Sequence, residues 1–533
     1  MKALVFCFIF LIIFLKIADS RILRVGPNEA FKNPIAVENI VTSGDTIWVL
    51  EGTYNVPKLI PKPGVSYISG DGHWKATLVG TSASVFAFGG GDFHTLIEGF
   101  EITKSNENTI HIVGGSNITI KNCYVHHAGP DGDNIKVSSG AHHITINGCV
   151  IHSPGQRASE AGDWQEPIDF FGCHDCTVKN SWLFHTHPDS GSRLVNCKNG
   201  SYNMIWENCI FGPHAANSAW TSVMRFGSDN DGSWTWSVRD MVVRNSIIFG
   251  CHTAAVGFWG VSRGYFYNNI LFNNECAPLM LVQSGSSAYR YSDSIFVFNN
   301  IFMDDRGKLT EVFLGSSSLL KNLIHGNNLY WNNGSAAKNS HLHPDTDPGS
   351  ATGDPLLRAP RAYSVRDVKP GIIAEIHSAF AINSPNSPAI DKGNDNALNS
   401  PFPGVAYDAL GTLREAGKID IGLAEFISIQ SVKRLNGTRQ VMTRVFPNPF
   451  SGQVMFVLRE SFVVCRNPAV KIFSIDGTLV RQISSLDTRY EARRTIHWDG
   501  KDNNGITVNP GKYIYKLTEN GKTVSRGSLL FRH

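Results

Sequence analysis

One short phrase recurs through the chain: ITIKNC (118–123), ITINGC (144–149), CTVKNS (176–181), MIWENC (204–209), MVVRNS (241–246), YFYNNI (265–270), FVFNNI (296–301) and IHGNNL (324–329). Its fifth position reads Asn122, Gly148, Asn180, Asn208, Asn245, Asn269, Asn300 and Asn328, at steps of 26, 32, 28, 37, 24, 31 and 28 residues. Each phrase alternates apolar and polar residues, the period of a strand. Asn and Gly tolerate the left-handed backbone of a sharp bend, so the strand is expected to turn there. A unit this short cannot bury its own apolar face and must stack on its neighbours. The sequence therefore predicts a parallel β-solenoid, with asparagine amides bonding from coil to coil as a ladder. The sixth position then points inward. Cys123, Cys149 and Cys209 are read there as small core hydrophobes.

Leucine-rich solenoids are the rival architecture. Their L-x-x-L-x-L pattern is absent, and so is any helical period between the strands. The region resembles the right-handed parallel β-helix of the pectin-lyase-like families over residues 22–427. SPAIDKG (387–393), DALG (408–411) and KIDIGLAEF (418–426) are similar to the closing segment of secreted bacterial β-helix proteins. VGPNEAFKNPIAV and SGDTIWVLEGTY (25–54) resemble their opening, which implies a capping helix and then a first strand.

The ends of the chain differ from its middle. Met-Lys precedes an apolar run, Ala3 to Leu15, and then Ala18-Asp-Ser20. This reads as a secretory signal peptide over residues 1–20, too short to span a bilayer. Residues 21–427 are assigned to the β-helix and 428–443 to a polar linker. Residues 444–533 show short strands split by turn signals such as Asp476-Gly477 and Pro510-Gly511, the pattern of a small antiparallel β-sandwich. VFPNPF (445–450), WDGKDNNG (498–505) and PGKYIYKL (510–517) resemble the C-terminal sorting domains of type IX secretion and the Ig-like domain of flagellar hook-capping proteins. That resemblance implies secretion machinery as a partner, and a secreted or cell-surface location. The fold class is thus all-β. A formal net charge of +3 gives no reason to expect nucleic acid. The protein is expected to act as a monomer.

Ten cysteines are present, and nine lie beyond the signal peptide, so they cannot all pair within one chain. Cys173-His-Asp-Cys176 has no second C-x-x-C to complete a zinc site.

A second strand of each coil carries the chemistry: TIHIVGG, NIKVSSG, PIDFFGC, GSRLVNC and SVMRFGS place His111, Lys136, Asp169, Arg193 and Arg225 among apolar neighbours. If those neighbours point inward, the charged residues line the outside, about 4.8 Å apart from coil to coil. A row of Lys and Arg around one carboxylate suits an acidic polysaccharide. The resemblance to secreted β-helix enzymes implies a polysaccharide lyase that cleaves a uronate-containing chain by β-elimination, which needs a base at the C5 proton and neutralisation of the carboxylate. Lys136 or Arg193 is the candidate base, and Arg225 the carboxylate holder. Asp169 would serve with Asp133 and Glu166 as hard oxygen ligands for Ca²⁺. His111, Asp169, His185, Trp164 and Trp220 are candidate substrate contacts, and Trp234, Trp236 and Trp259 also lie in coil insertions. His126, His127, His152, His185, His187 and His214 follow the asparagine turn in successive coils. His185-Thr-His187 is read there as a base or metal pair, or as turn-satisfying residues.

The W-I-D-H and R-x-P-x-x-R stretches of pectate lyases are absent, as are the N-T-D, G-H-G and R-I-K stretches of polygalacturonases. No residue carries over from those families by motif. Two alternatives stay open: a glycoside hydrolase using paired carboxylates such as Asp131, Asp133, Asp163, Glu166 and Asp169, and a non-catalytic glycan-binding adhesin.

Overall fold

The structure is a computed structural model. It describes residues 20–155, 165–185, 193–214, 222–228, 236–281, 291–309, 311–335, 341–395 and 406–426, with shorter stretches between 443 and 531. The signal-peptide reading and the linker fall outside these residues.

Three parallel sheets of twelve, twelve and nine strands run side by side. Each strand inside a sheet pairs with its counterparts one coil before and one coil after; Ile118, Thr119 and Ile120, for example, pair with Ile144, Thr145 and Ile146. Alternation decides what is buried. In Gly115–Lys121 the inward Ile118 and Ile120 are sequestered while Thr119 and Lys121 are partly exposed. The inward residues of all coils merge into one continuous core.

The corner after each first-sheet strand is left-handed, as the repeat requires, but in a slightly different column. Asn122, Gly148, Asn180, Asn208 and Asn245 have positive φ, and in later coils so do Asn268, Asn299 and Asn327. The register pairs Arg244 with Tyr267, so Asn245 matches Asn268 and not Asn269. Asn-Asn doublets hid this slip of one residue. Gly148 takes the same left-handed φ of 73° without strain, and a Cβ there would push aside the Asn122 amide, 2.3 Å away.

Asn269, Asn300 and Asn328 therefore belong to the inward column that begins with Cys123, Cys149, Ser181, Cys209 and Ser246. They are fully buried. Each side chain takes the backbone N–H of the preceding coil: Ser181 Oγ accepts from Cys149 N (3.1 Å), Ser246 Oγ from Cys209 N (3.0 Å) and Asn269 Oδ1 from Ser246 N (3.0 Å). The expected amide ladder exists here. Asn269 Nδ2 donates to Asn300 Oδ1 (3.1 Å), and Asn300 Nδ2 to Asn328 Oδ1 (3.0 Å). The cysteines stack as thiols in this core, and burial pushes the Cys209 thiol up to about 12. Cys173 and Cys176 are buried core thiols too, donating to the Val137 and His174 carbonyls.

The start differs from expectation. A strand, Ile22–Val25, comes first, and the capping turn is a four-residue 3-10 helix, Pro34–Val37, begun by an Asn33 cap. The closing segments lie on the outer face of the second sheet. Ile372 and Ile376 of the helix Ile372–Ala379 pack with Phe380, Ala389, Ile421 and Leu423 against Ile210, Ile247, Ile270 and Ile301. The same tail bonds the left-handed corner: Asn245 Nδ2 donates to Tyr407 O (3.1 Å) and Asn299 Nδ2 to Asn394 O (3.0 Å). Towards the C-terminus, two antiparallel sheets of three and four strands share a core containing Phe456, Ile472, Trp498 and Leu517.

Candidate functional site

The third sheet carries the candidate site. Its register pairs His111 with Lys136, Lys136 with Asp169, Asp169 with Asn196, Asn196 with Arg225 and Arg225 with Gly257. His111, Lys136, Asp169 and Arg225 thus form the outward row that the alternation predicts. Arg193 does not belong to it. The strand there is Val195–Lys198 with Val195 and Cys197 inward, which makes Asn196 the outward residue. Leu194, whose N–H is taken by the Val223 carbonyl, lengthens the apolar run and disguises the register.

Arg193 instead joins a second row, three residues earlier in each coil: Asn108, Asp133, Glu166, Arg193 and Ser222. Side chains knit this row together. Asn108 Oδ1 accepts from Asp133 N (2.9 Å) and Asp133 Oδ1 from Glu166 N (2.8 Å). The two rows then pair across each other. Lys136 Nζ contacts Asp133 Oδ2 at 2.9 Å and Asp169 Oδ2 at 2.6 Å. Arg193 contacts Glu166 Oε1 at 3.3 Å, and Asn196 Nδ2 donates to that oxygen at 3.2 Å. Lys198 reaches Asp169 Oδ1 at 3.3 Å. The result is a buried cluster of three carboxylates, with cations on its flanks.

Asp169 faces outward along its strand yet its side chain is 2% exposed, because Lys136 and Lys198 lie over it. Burial pushes the Asp133 carboxyl up, Asp169 adds to this, and Lys136 opposes it. Glu166 is raised far more strongly, by burial and then by both neighbouring carboxylates. Burial pulls the Lys136 ammonium down, but Asp169 and Asp133 outweigh it and the net shift is upward. His111, at the near end, is lowered by burial and by Lys136. At the far end the Arg225 guanidinium lies 4.7 Å over the Trp259 ring. Gly257 permits that arrangement, since a Cβ there would strike the indole at 2.2 Å.

The carboxylates of Asp133, Glu166 and Asp169 each offer an oxygen, all within 4.8 Å of one another. Asn196 Oδ1 and Asp169 Oδ1 are buried acceptors without a hydrogen bond; the Lys198 contact to Asp169 Oδ1 is an ion pair lacking hydrogen-bond geometry. An all-oxygen set of this kind fits a hard divalent cation such as Ca²⁺. The Lys136 ammonium now sits against two of its three carboxylates.

His185 is elsewhere. It ends the second-sheet strand Trp182–His185, buried and in register with His214, their rings 6.3 Å apart. Trp164, Trp220, Trp234 and His187 lie outside the described residues. Three residues at the site escaped the sequence reading: Asn196, Lys198 and Phe171. Phe171 follows Asp169 by two, faces outward at 40% exposure, and has Lys198 at 5.8 Å over its ring. Period 2 counted outward from Asp169 and from Asn196 marks Phe171 and Lys198.

With this geometry in view, comparison with known proteins fixes the fold. Residues 74–225 match a protein-family model described as "Right handed beta helix region". No curated protein matches the chain. Among solved structures, pectate lyase Pel9A is similar over 76% of this chain and 97% of its own, at 15% identity and a TM-score of 0.50. The mannuronan C-5 epimerase AlgE6 A-module of Azotobacter vinelandii is similar over 60% and 93%, at 13% identity and a TM-score of 0.39. PfbA, a surface adhesin of Streptococcus pneumoniae, is similar over 60% and 87%, at 13% identity and a TM-score of 0.40. The long middle of this chain is a right-handed parallel β-helix. The likeness to Pel9A, at 15% identity, speaks to that fold alone and leaves the activity to the site.

Proposed function

We propose that this protein is a secreted polysaccharide lyase that cleaves an acidic, uronate-containing chain by β-elimination on the outer face of its third sheet. The observation that carries the reading is the group of cations on one face, Lys136 and Arg225 in one row and Lys198 in the next, set around buried carboxylates beside exposed Phe171. Uronate carboxylates pair with the cations, and the Phe171 face offers a sugar ring an apolar platform. Arg225, stiffened on Trp259, holds a carboxylate. Lys136 is the candidate base at C5; Asp133 and Asp169 hold its ammonium protonated as it stands, so a cation taken up by those carboxylates would have to release it first, and Lys198 stands next to it on the same face. Arg193 is withdrawn from that role, since it lies outside the outward row with its buried guanidinium engaged by Glu166.

Asp133, Glu166 and Asp169 are the residues that would hold Ca²⁺. A bound cation there would help neutralise the substrate carboxylate and so acidify the C5 proton. The signal-peptide-like start and the sorting-domain-like C-terminus support export, which a polymer-degrading enzyme needs, and a working monomer is expected.

A hydrolase is the less favoured reading. Inverting enzymes space their carboxyl groups roughly 6.5–9.5 Å apart, and retaining ones about 5–5.5 Å. The three carboxylates here are buried and engaged with cations, which counts against a pair working as acid and nucleophile or base. Purified protein mixed with pectate, alginate, glycosaminoglycan or ulvan-type chains is expected to raise absorbance near 235 nm in the presence of Ca²⁺, with Asp169→Asn strongly impaired. New reducing ends on a flat absorbance trace would assign hydrolysis. Binding with no change in polymer length would assign an adhesin.

A further inference from the structure

The second sheet holds a separate cluster on its outer face. Two consecutive histidines end one turn: His126 closes the strand Tyr124–His126, and His127 turns left-handed at φ 55°. That turn sets the two rings nearly perpendicular, 4.8 Å between centroids, with their Nδ1 atoms 2.5 Å apart. Thr103 Oγ1, one coil earlier, lies 3.0 Å from the same His126 Nδ1.

The far side of His126 explains the convergence. Its Nε2 lies 3.0 Å from Glu101 Oε1, and Thr77 Oγ1 holds the other Glu101 oxygen at 2.9 Å. The carboxylate fixes the ring proton on Nε2 and leaves the Nδ1 lone pair directed at His127 and Thr103. A carboxylate behind an imidazole is the usual outer partner of a metal-bound histidine. His152 walls the corner, stacked 5.3 Å from His126, with its own nitrogens taken by the Tyr124 hydroxyl (2.8 Å) and Ser153 Oγ (2.8 Å).

We propose that His126 Nδ1 and His127 Nδ1, with Thr103 Oγ1 beside them and Glu101 behind, bind a divalent transition metal of the Zn²⁺ or Cu²⁺ kind. Imidazole nitrogen selects these ions over Ca²⁺, so the site is chemically distinct from the carboxylate cluster. Metal–nitrogen bonds of about 2.0–2.1 Å put two ligand nitrogens roughly 3 Å apart, so the exposed His127 ring must swing outward by about half an ångström.

The test is calorimetric titration of the full-length protein with Zn²⁺ and with Cu²⁺, in buffer already containing Ca²⁺. His127→Ala is expected to weaken binding by tenfold or more, because the exposed side chain can be removed without disturbing the core. Glu101→Gln is expected to weaken it by roughly 10- to 100-fold. The Cu²⁺ complex should show electron-spin coupling to two imidazole nitrogens, reduced in His127→Ala. A second adjacent pair, His142 and His143, has its Nδ1 atoms 2.7 Å apart on the first sheet, and His142→Ala serves as the control. Equal affinity in wild type and His127→Ala, loss in His142→Ala instead, or no binding to wild type would each overturn the proposal.

Discussion

Asn300→Ala is expected to lower the stability of the β-helix by about 3–5 kcal/mol, since each buried hydrogen-bonding group left without its partner costs about 1–3 kcal/mol. Asn300 sits in the middle of the inward ladder and is fully buried. Its Oδ1 accepts from Asn269 N (3.0 Å) and Asn269 Nδ2 (3.1 Å). Its Nδ2 donates to Phe266 O (3.0 Å) and Asn328 Oδ1 (3.0 Å). Alanine removes all of these and leaves polar groups of the coils on either side short of a partner where water does not reach. Asn300→Asp keeps the acceptor and loses the donor, so it should also destabilise, and more as pH rises through the carboxyl's titration. Denaturant midpoints of the three proteins check this. A shift below about 1 kcal/mol for Asn300→Ala would mean that water or a relaxed neighbour replaces the ladder.

Lys136→Ala is expected to reduce uronate cleavage by roughly 10³-fold, within the range that a positioned acid–base group contributes. Two effects combine. The candidate base is lost, and Asp133 and Asp169 lose the ammonium between them. Removing one partner of a buried ion pair costs about 3–5 kcal/mol when the remaining charge stays buried, so the variant should also melt earlier in a chelator. Added Ca²⁺ should restore much of that stability without restoring cleavage, because a cation can compensate the carboxylates but cannot take a proton. Lys136→Arg separates the two effects, since it keeps the charge and should keep the stability while losing the base. Initial rates at 235 nm and thermal midpoints, each with and without Ca²⁺, form the measurement. Activity surviving in Lys136→Ala would move the base to Lys198.

The fold was legible because its information is local and repeated. Alternation in ITIKNC and a left-handed residue after it give a strand and a corner, and repetition does the rest. What could not be read was register wherever two similar residues stand side by side. Asn268-Asn269 offers either asparagine to the corner, and only pairing with the previous coil selects the first. Leu194-Val195 did the same at the site, promoting Arg193 into a row it does not occupy. Asp133, Glu166 and Asp169 were named correctly as neighbours because each lies a fixed distance before or on a strand of the same sheet. Lys198 was missed because it belongs to the next outward position, which carries no charge in the coils before it. The covering of the second sheet by the tail was beyond reach, because it joins residues such as Asn245 and Tyr407 that no local pattern connects.

The pairing of strands also separates two quantities that most folds tie together. Steps between successive corners range from 23 residues (Asn245 to Asn268) to 37 (Asn208 to Asn245), yet the side chains above and below each corner stay one strand spacing apart. Loop length is therefore free to drift while the lateral address of every site residue stays constant. A lineage of such folds can lengthen, shorten or exchange its loops without moving the outward rows beneath them. Conversely, a subsite can be rewritten by a single outward substitution. Ser138, flanked in its row by Val113 and Phe171, is one such position.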